Sequence, residues 1–412
     1  MKRREIIKWA AITPATGAIA ASLIPFQSVF GAPYAQPSLK RDLIKELGLR
    51  TFINAAGTYT SMTASLMNEE VIAAINDSSR EFIMLNEVQD KVGEKIAELV
   101  RSEAAMVTSG ASSALTLGMA GILTGTDEER IKRLPHRLEE AGIKSEVIIQ
   151  KEHYDGYQHA LEITGITLVP VETAADVEKA VNEKTASMHF LNWKTLEGKI
   201  KHEEWLQLAK THKLPATIDI AADVPPVSNL WKFNDMGFSF VALSGGKAIC
   251  GPQSAGVLMG KKDIIAAARL NHSPNGGTIG RGMKVNKEEM LGMYAALDSY
   301  VKRDHEKEWK MWEDRVAVIT KTVKKTDGVE VSVTVPPISN HTPKMNIKWD
   351  NSKIKISRSQ LGDKLRNGNP SIEVIAWGED ENSIDLTVFM LKPGQENIVG
   401  KRIFEELSKA SS

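Results

Sequence analysis

Between residues 104 and 244 the chain repeats one pattern, an almost wholly apolar run of strand length followed by a stretch with helical spacing. The runs are "AAMVTS", "SEVIIQ", "ITLVPV", "ASMHFLN", "ATIDIA" and "FSFVALS"; among the helical stretches are "GASSALTLGMAGILTG", "DVEKAVNEK" and "KHEEWLQLAKTHK". A strand with one wet face alternates polar and apolar residues, so continuous apolar runs need cover on both faces. Alternation with helices supplies that cover and predicts a mostly parallel α/β sheet. Ligands in such sheets sit outside the carboxyl ends of the strands. No period of about 20 to 50 residues recurs, which sets aside solenoids and propellers.

After about residue 285 the character changes. A long helical stretch, "KEEMLGMYAALDSYVKRDHEKEWKMWEDRVAVITKTV", precedes strand-like "VEVSVTV", "KMNIKWD" and "SIDLTVFML", with a last helix near "GKRIFEELSKA". The expected division is a large domain with an N-terminal segment over 33–285, then a connecting helix and a smaller α+β domain over 286–412.

The first 32 residues read as a leader. A basic start, an alanine-rich apolar stretch and small residues around Gly31 and Ala32 form the signal-peptide pattern. Arg3 and Arg4 resemble the twin-arginine variant, and the apolar stretch is shorter than the roughly 20 residues a spanning helix needs. The expectation is a periplasmic protein with no membrane insertion after cleavage. Basic and acidic residues number 52 each, so no net charge favours a nucleic acid. The one cysteine, Cys250, excludes an intramolecular disulfide and any multi-cysteine metal centre, and no metal is expected.

Lys247 stands in a Ser-Gly-Gly turn after "FSFVAL". A phosphate-binding P-loop would need glycine at 241 and Ser or Thr at 248, where Val and Ala stand. Two readings remain: a loop lysine in a glycine-rich surface turn, or an amine that holds pyridoxal phosphate as a Schiff base and moves protons. The second makes demands elsewhere. Asp219 ends an apolar run 28 residues earlier and could keep the cofactor's ring nitrogen protonated, or serve as a helix cap; Asp223, four residues on, is the weaker candidate because it lies past the strand. Gly110, Ala111, Ser112 and Ser113 stand where a strand turns into a helix, a place for a phosphate dianion, and Ser244 could add a hydroxyl. His153, behind "VIIQ", could stack on the ring and handle protons, or be a loop histidine.

These features, in this order, resemble the fold-type I pyridoxal-phosphate enzymes, in the branch related to bacterial selenocysteine synthase and D-glucosaminate-6-phosphate ammonia-lyase. The resemblance spans roughly 45–410 through "INAAGTYT", "VTSGASSAL", "EHYDGY", "DIAADVPP", "SGGKAICGPQSAGVLMG" and "GRGMKVNKEE". It implies a PLP-transferase-like large domain of the aspartate aminotransferase type. In it Lys247 carries the cofactor, Asp219 meets the ring nitrogen, and Gly110, Ala111, Ser112 and Ser244 hold the phosphate. It also implies that His153 stacks, Asn192 lies near the phenolic oxygen, and Thr278 reaches a neighbouring subunit's phosphate, making a homodimer the minimum assembly, with a higher homo-oligomer the alternative. Arg358 and Arg366 are candidates for a substrate carboxylate, with surface salt bridges as the alternative.

The reaction implied is a lyase acting on a small amine, an amino acid or amino-sugar acid. A racemase or aminotransferase is the alternative, and a non-catalytic exported binder of pyridoxal phosphate or an amine the third reading. Three departures matter. Where selenocysteine synthase carries a tRNA-binding domain, only about 20 residues separate the expected cleavage site from "INAAG", so no tRNA substrate is expected. Cys250 lies too near the lysine to be a desulfurase nucleophile and reads as a packed thiol. Where several relatives carry glutamine after the aspartate, Ala222 or Asp223 stands.

Overall fold

The computed structural model describes residues 41–411. The leader expected over 1–32 lies outside the described residues. The described residues fall into two units, 41–50 and 51–411. Of the first, the described part carries a short helix, Leu43–Glu46, whose N-terminus is capped by the Asp42 carboxylate.

Twelve strands occur among the described residues: β1 (Ile53–Asn54), β2 (Ala104–Thr108), β3 (Glu146–Gln150), β4 (Thr167–Val171), β5 (Thr185–Leu191), β6 (Ala216–Asp219), β7 (Phe240–Ser244), β8 (Gly256–Gly260), β9 (Val329–Thr334), β10 (Lys344–Trp349), β11 (Ile372–Glu373) and β12 (Ser383–Thr387). The large sheet has seven strands in the order β2-β8-β7-β6-β5-β3-β4. β7, β6, β5, β3 and β4 pair in parallel, and β8 runs antiparallel to both β2 and β7. All seven residues of β5 and all four of β6 are buried, as the apolar runs require. Each apolar run of the sequence is therefore a strand. Within the large sheet only β8 goes beyond them, formed by the glycine-rich return after Lys247.

The smaller sheet is antiparallel, in the order β12-β10-β9, while β1 pairs in parallel with β11. In β10 the alternation is complete: Met345, Ile347 and Trp349 are buried, Lys344 and Asn346 half-buried and Lys348 exposed. The buried set joins Ile319, Val323, Leu361, Ile403 and Leu407 in one core with Ile53 and Ala55, so the segment beginning at Thr51 packs with the C-terminal elements. Conversely Met290, Met293, Ala296, Leu297 and Tyr300 belong to the core of the large sheet.

The long helical stretch after 285 is two helices, Lys287–Val301 and His305–Val323. Asp304 divides them because its carboxylate accepts from the Lys307 N–H and so starts a new helix.

Candidate active site

The ends of β5, β6 and β7 in the large sheet and of β10 and β12 in the small sheet border a cavity of about 450 Å³. Its wall includes Gly57, Tyr59, Tyr157, Trp193, Asp219, Asp223, Lys247, Ser339, Lys344 and Thr387. Asp219 ends β6, and Lys247 follows β7, the neighbouring parallel strand, in which Ala242 lies opposite Asp219. Register thus brings to one place two groups far apart in sequence.

The electrostatics follow from enclosure. Asp219 accepts the Ala221 N–H at 2.8 Å through Oδ1. Burial pushes its carboxyl up to about 6, with the Asp223 charge adding and the Ala221 N–H and Lys247 pulling the other way. Burial likewise raises Asp223, against hydrogen bonds from Ser339 and Asn192 that favour the carboxylate. The Lys247 amine is lowered from the usual lysine range by burial, with both aspartates opposing. Two buried carboxyls and a buried amine therefore share the cavity, and no hydrogen bond or ion pair within 4.0 Å joins the amine to another described residue.

A second feature adjoins this turn. The helix Gly110–Thr124 has no side-chain cap on its first N–H groups. Gly110, in the left-handed region at φ +78°, turns the chain from β2 into the helix. Ser244 pairs with Gly256, and Gly256 lies so close to the helix start that an added Cβ would come within 2.4 Å of the Gly110 carbonyl carbon and 2.7 Å of the Ala111 nitrogen. An uncapped helix terminus is thereby packed next to the lysine turn. Gly110 and Ala111 are half-buried and Ser112 is exposed, so donors and hydroxyl remain accessible.

Residues 87–293 match the family described as aminotransferase class-V. The chain belongs to that family. Across 375 residues this class-V chain is 25% identical to the D-glucosaminate-6-phosphate ammonia lyase of Salmonella typhimurium, covering 88% of this chain and 97% of the relative. The 5'-C-glycyluridine monooxygenase-decarboxylase of a Streptomyces species is 24% identical over 379 residues, 88% of this chain and 91% of the other. An L-seryl-tRNA(Sec) selenium transferase of Maridesulfovibrio salexigens is 24% identical over 61% of this chain and 56% of its own length. Among solved structures, that of D-glucosaminate-6-phosphate ammonia-lyase superposes with a TM-score of 0.77 at 23% identity, covering 90% of this chain and all of the other.

Pyridoxal 5'-phosphate is the cofactor of this class-V fold, and the residues present fit it. Lys247 offers an amine held neutral more readily than in water, Asp219 a carboxylate for a ring nitrogen, and the Gly110–Ser112 helix start a cradle for a phosphate. Ser244 is half-buried at the end of β7, beside that cradle through its pairing with Gly256.

Gly110, Ala111, Ser112 and Ser244 stand beside the lysine turn but are not themselves wall residues, and the other expected site residues lie farther off. His153 is not on the cavity wall: its imidazole is enclosed, accepts the Leu191 N–H at 3.2 Å through Nδ1 and meets Phe190 edge-on at 4.5 Å. Burial pushes its pKa down to about 3, so it is a neutral core histidine rather than a stacking or proton-transfer group; the wall's aromatic rings come from Tyr59, Tyr157, Trp193 and Phe389. Asn192 is also buried behind the wall. Its amide donates to Asp223 Oδ2 at 2.8 Å, and its Oδ1 faces His202 Nε2 at 2.8 Å, so it positions Asp223 instead of facing a cofactor oxygen.

Arg358 is enclosed in the small domain, and Arg366 forms an ion pair with Glu373; neither lines the cavity. Thr278, expected to face a neighbouring subunit, donates to the Asn275 carbonyl at 3.1 Å within its own loop. Cys250 is part-buried with its thiol pKa raised by burial, a packed thiol. Among the described residues no acidic, histidine or cysteine cluster could hold a metal, and no helix is long and apolar enough to cross a membrane.

Tyr59, Tyr157, Ser339, Lys344 and Thr387 also stand on the wall, outside the residues that the motifs single out. For Lys344 a signal was there: the alternation of "KMNIKW" puts it on the face opposite the core. The others enter through chain crossings that no local pattern encodes.

Proposed function

We propose that this chain is a pyridoxal-phosphate-dependent lyase that carries out an α,β-elimination of the ammonia-lyase type on an amino acid or amino-sugar acid. The observation that carries the reading is the convergence of the Lys247 amine and the Asp219 carboxylate, from adjacent parallel strands, on one cavity. Bound pyridoxal phosphate supplies an electron sink at the substrate's α-carbon. Lys247, its basicity moderated by burial, anchors that group and can take the α-proton at Nζ. Asp219 holds negative charge at the cavity floor, where it favours a cationic ring nitrogen. Asn192 and Ser339 fix the Asp223 carboxylate from two sides. Similarity to the ammonia lyase over nearly its full length supports elimination as the outcome.

A screen of D- and L-amino acids and amino-sugar acids for ammonia and keto-acid release tests the reaction. Purified protein should carry a visible cofactor band that moves when an amine is added. Lys247→Ala should lose the borohydride-fixable attachment and at least about 1,000-fold of turnover; turnover kept by this variant would overturn the assignment.

The reading extends to assembly and place. A homodimer is supported by the exposed apolar side chains Leu66, Ile72, Phe82, Ile83 and Met84, the last three consecutive in the chain. Export to the periplasm by the twin-arginine route is supported by Arg3 and Arg4 ahead of the apolar leader. Replacing both arginines by lysine should keep the full-length chain in the cytoplasm. Undiminished appearance of the shortened chain in the periplasm would remove the twin-arginine assignment.

A further inference from the structure

The cavity contains no guanidinium: among its described wall residues the cations are Lys247 and Lys344. Lys344 opens β10 and lies directly opposite Thr387 of β12, while Asn346 lies opposite Asp385 one step along. Because side chains alternate along a strand, these four share one face of the small sheet, and Met345, Ile347, Ile384 and Leu386 fill the other as core. The polar face is internally braced. Asn346 Nδ2 donates to Asp385 Oδ1 at 2.7 Å, and Lys344 Nζ meets Asp385 Oδ2 at 2.8 Å. An ammonium carries three donors, and the Asp385 contact is the ion pair Lys344 makes among the described residues. Beside it, the Thr387 hydroxyl lies in the cavity wall at 8% exposure with no hydrogen-bond partner. A buried hydroxyl without a partner is costly and marks a place where a ligand oxygen belongs.

We propose that Lys344, oriented by Asp385 and accompanied by the Thr387 hydroxyl, receives the substrate's carboxylate. The inference rests on the reading of the cavity as an amine-substrate site. Ammonium and hydroxyl from adjacent strands offer one donor to each carboxylate oxygen. Asp385 offsets part of the lysine's charge, which suits a monoanion and disfavours a phosphate dianion at the same place. Asp385 and Asn346 are positioning residues that act through the lysine head.

The test compares serine with ethanolamine, the same amine without its carboxylate, on the cofactor-loaded protein, reading apparent Kd from the change in the cofactor band. Lys344→Met should weaken serine about 10- to 100-fold while moving ethanolamine less than about 3-fold. Lys344→Arg should restore part of the loss, and Thr387→Val should cost serine alone about 3- to 10-fold. If Lys344→Met fails to load cofactor, Lys344→Gln and Thr387→Val read the same ratio. Equal effects on serine and ethanolamine, or none on either, overturn the assignment. So does binding of phosphoethanolamine that depends on Lys344 as strongly as that of serine. A wild-type band that responds to neither amine brings down the amine-substrate reading, and this assignment with it, whereas a wild-type response that Lys344→Met leaves intact removes only the assignment.

Discussion

In the protein without cofactor, the Asp219 carboxyl titrates at about 6 in place of 3.8. Between those values the folded chain holds a proton that the unfolded chain has released, so stability falls as pH rises through that window and stays lower above it. A shift of roughly two units corresponds to at most about 3 kcal/mol. Asp223, Asp155 and Lys247 face the same carboxyl, and Asp223 adds a shift in the same direction. Asp219→Asn keeps an acceptor for the Ala221 N–H and loses the titration. Cofactor-free Asp219→Asn should therefore melt higher than wild type at pH 7 and show a flatter dependence of Tm between pH 4 and 7; an unchanged slope would place the effect elsewhere. The loaded variant should lose most turnover. Lys247 and Asp219 were legible because each ends an apolar run, and strand ends are where such sheets bind. His153 also follows a strand, but its ring turns back onto Phe190, a choice made by packing. The arginines failed as candidates for a similar reason: charge is visible in a sequence, but the face of a helix that meets a cavity is not.

Strand β8 is the element on which the phosphate cradle depends. Its first residue, Gly256, touches backbone atoms of Gly110 and Ala111, which have no side-chain freedom with which to yield. Gly256→Ala should cost about 1 to 3 kcal/mol and weaken cofactor binding, measured as Tm and as titrated affinity. Gly276→Ala, where an added Cβ meets nothing within 4 Å, is the matched control and should change neither. The parallel strands could be read from their apolar runs, whereas β8 could not. "GVLMG" is short and bounded by glycines, and its antiparallel course between β2 and β7 is set by pairing across the sheet. The split of the long helix at Asp304 was legible in principle, since an aspartate three residues before the N–H it caps is a start signal.

At the scale of the molecule, the cavity exists because two sheets meet. The Asn340 N–H donates to the Ala222 carbonyl at 2.8 Å, and the Ser339 hydroxyl donates to Asp223, so the loop before β10 is fastened to the segment after β6. No local periodicity announces such a seam; the fold class was readable, but the small-sheet half of the site was not. The exposed apolar segment belongs to this scale too. If the proposed dimer uses this segment, Phe82→Glu, at a fully exposed side chain, should sediment as a monomer where wild type sediments as a dimer, and should lower stability by no more than about 0.5 kcal/mol. A variant that remains a dimer would place the interface on another face.

The pairing of β1 with β11 bears on how the chain is made. Ile53 and Ala55 leave the ribosome early, yet the core they enter is completed only by residues as late as Leu407. Throughout synthesis that first strand must wait without its partner while the large sheet assembles between them. Truncations that spare every residue of the large sheet would still leave the active cavity without its far wall, so translation must run nearly to its end before a competent site can exist.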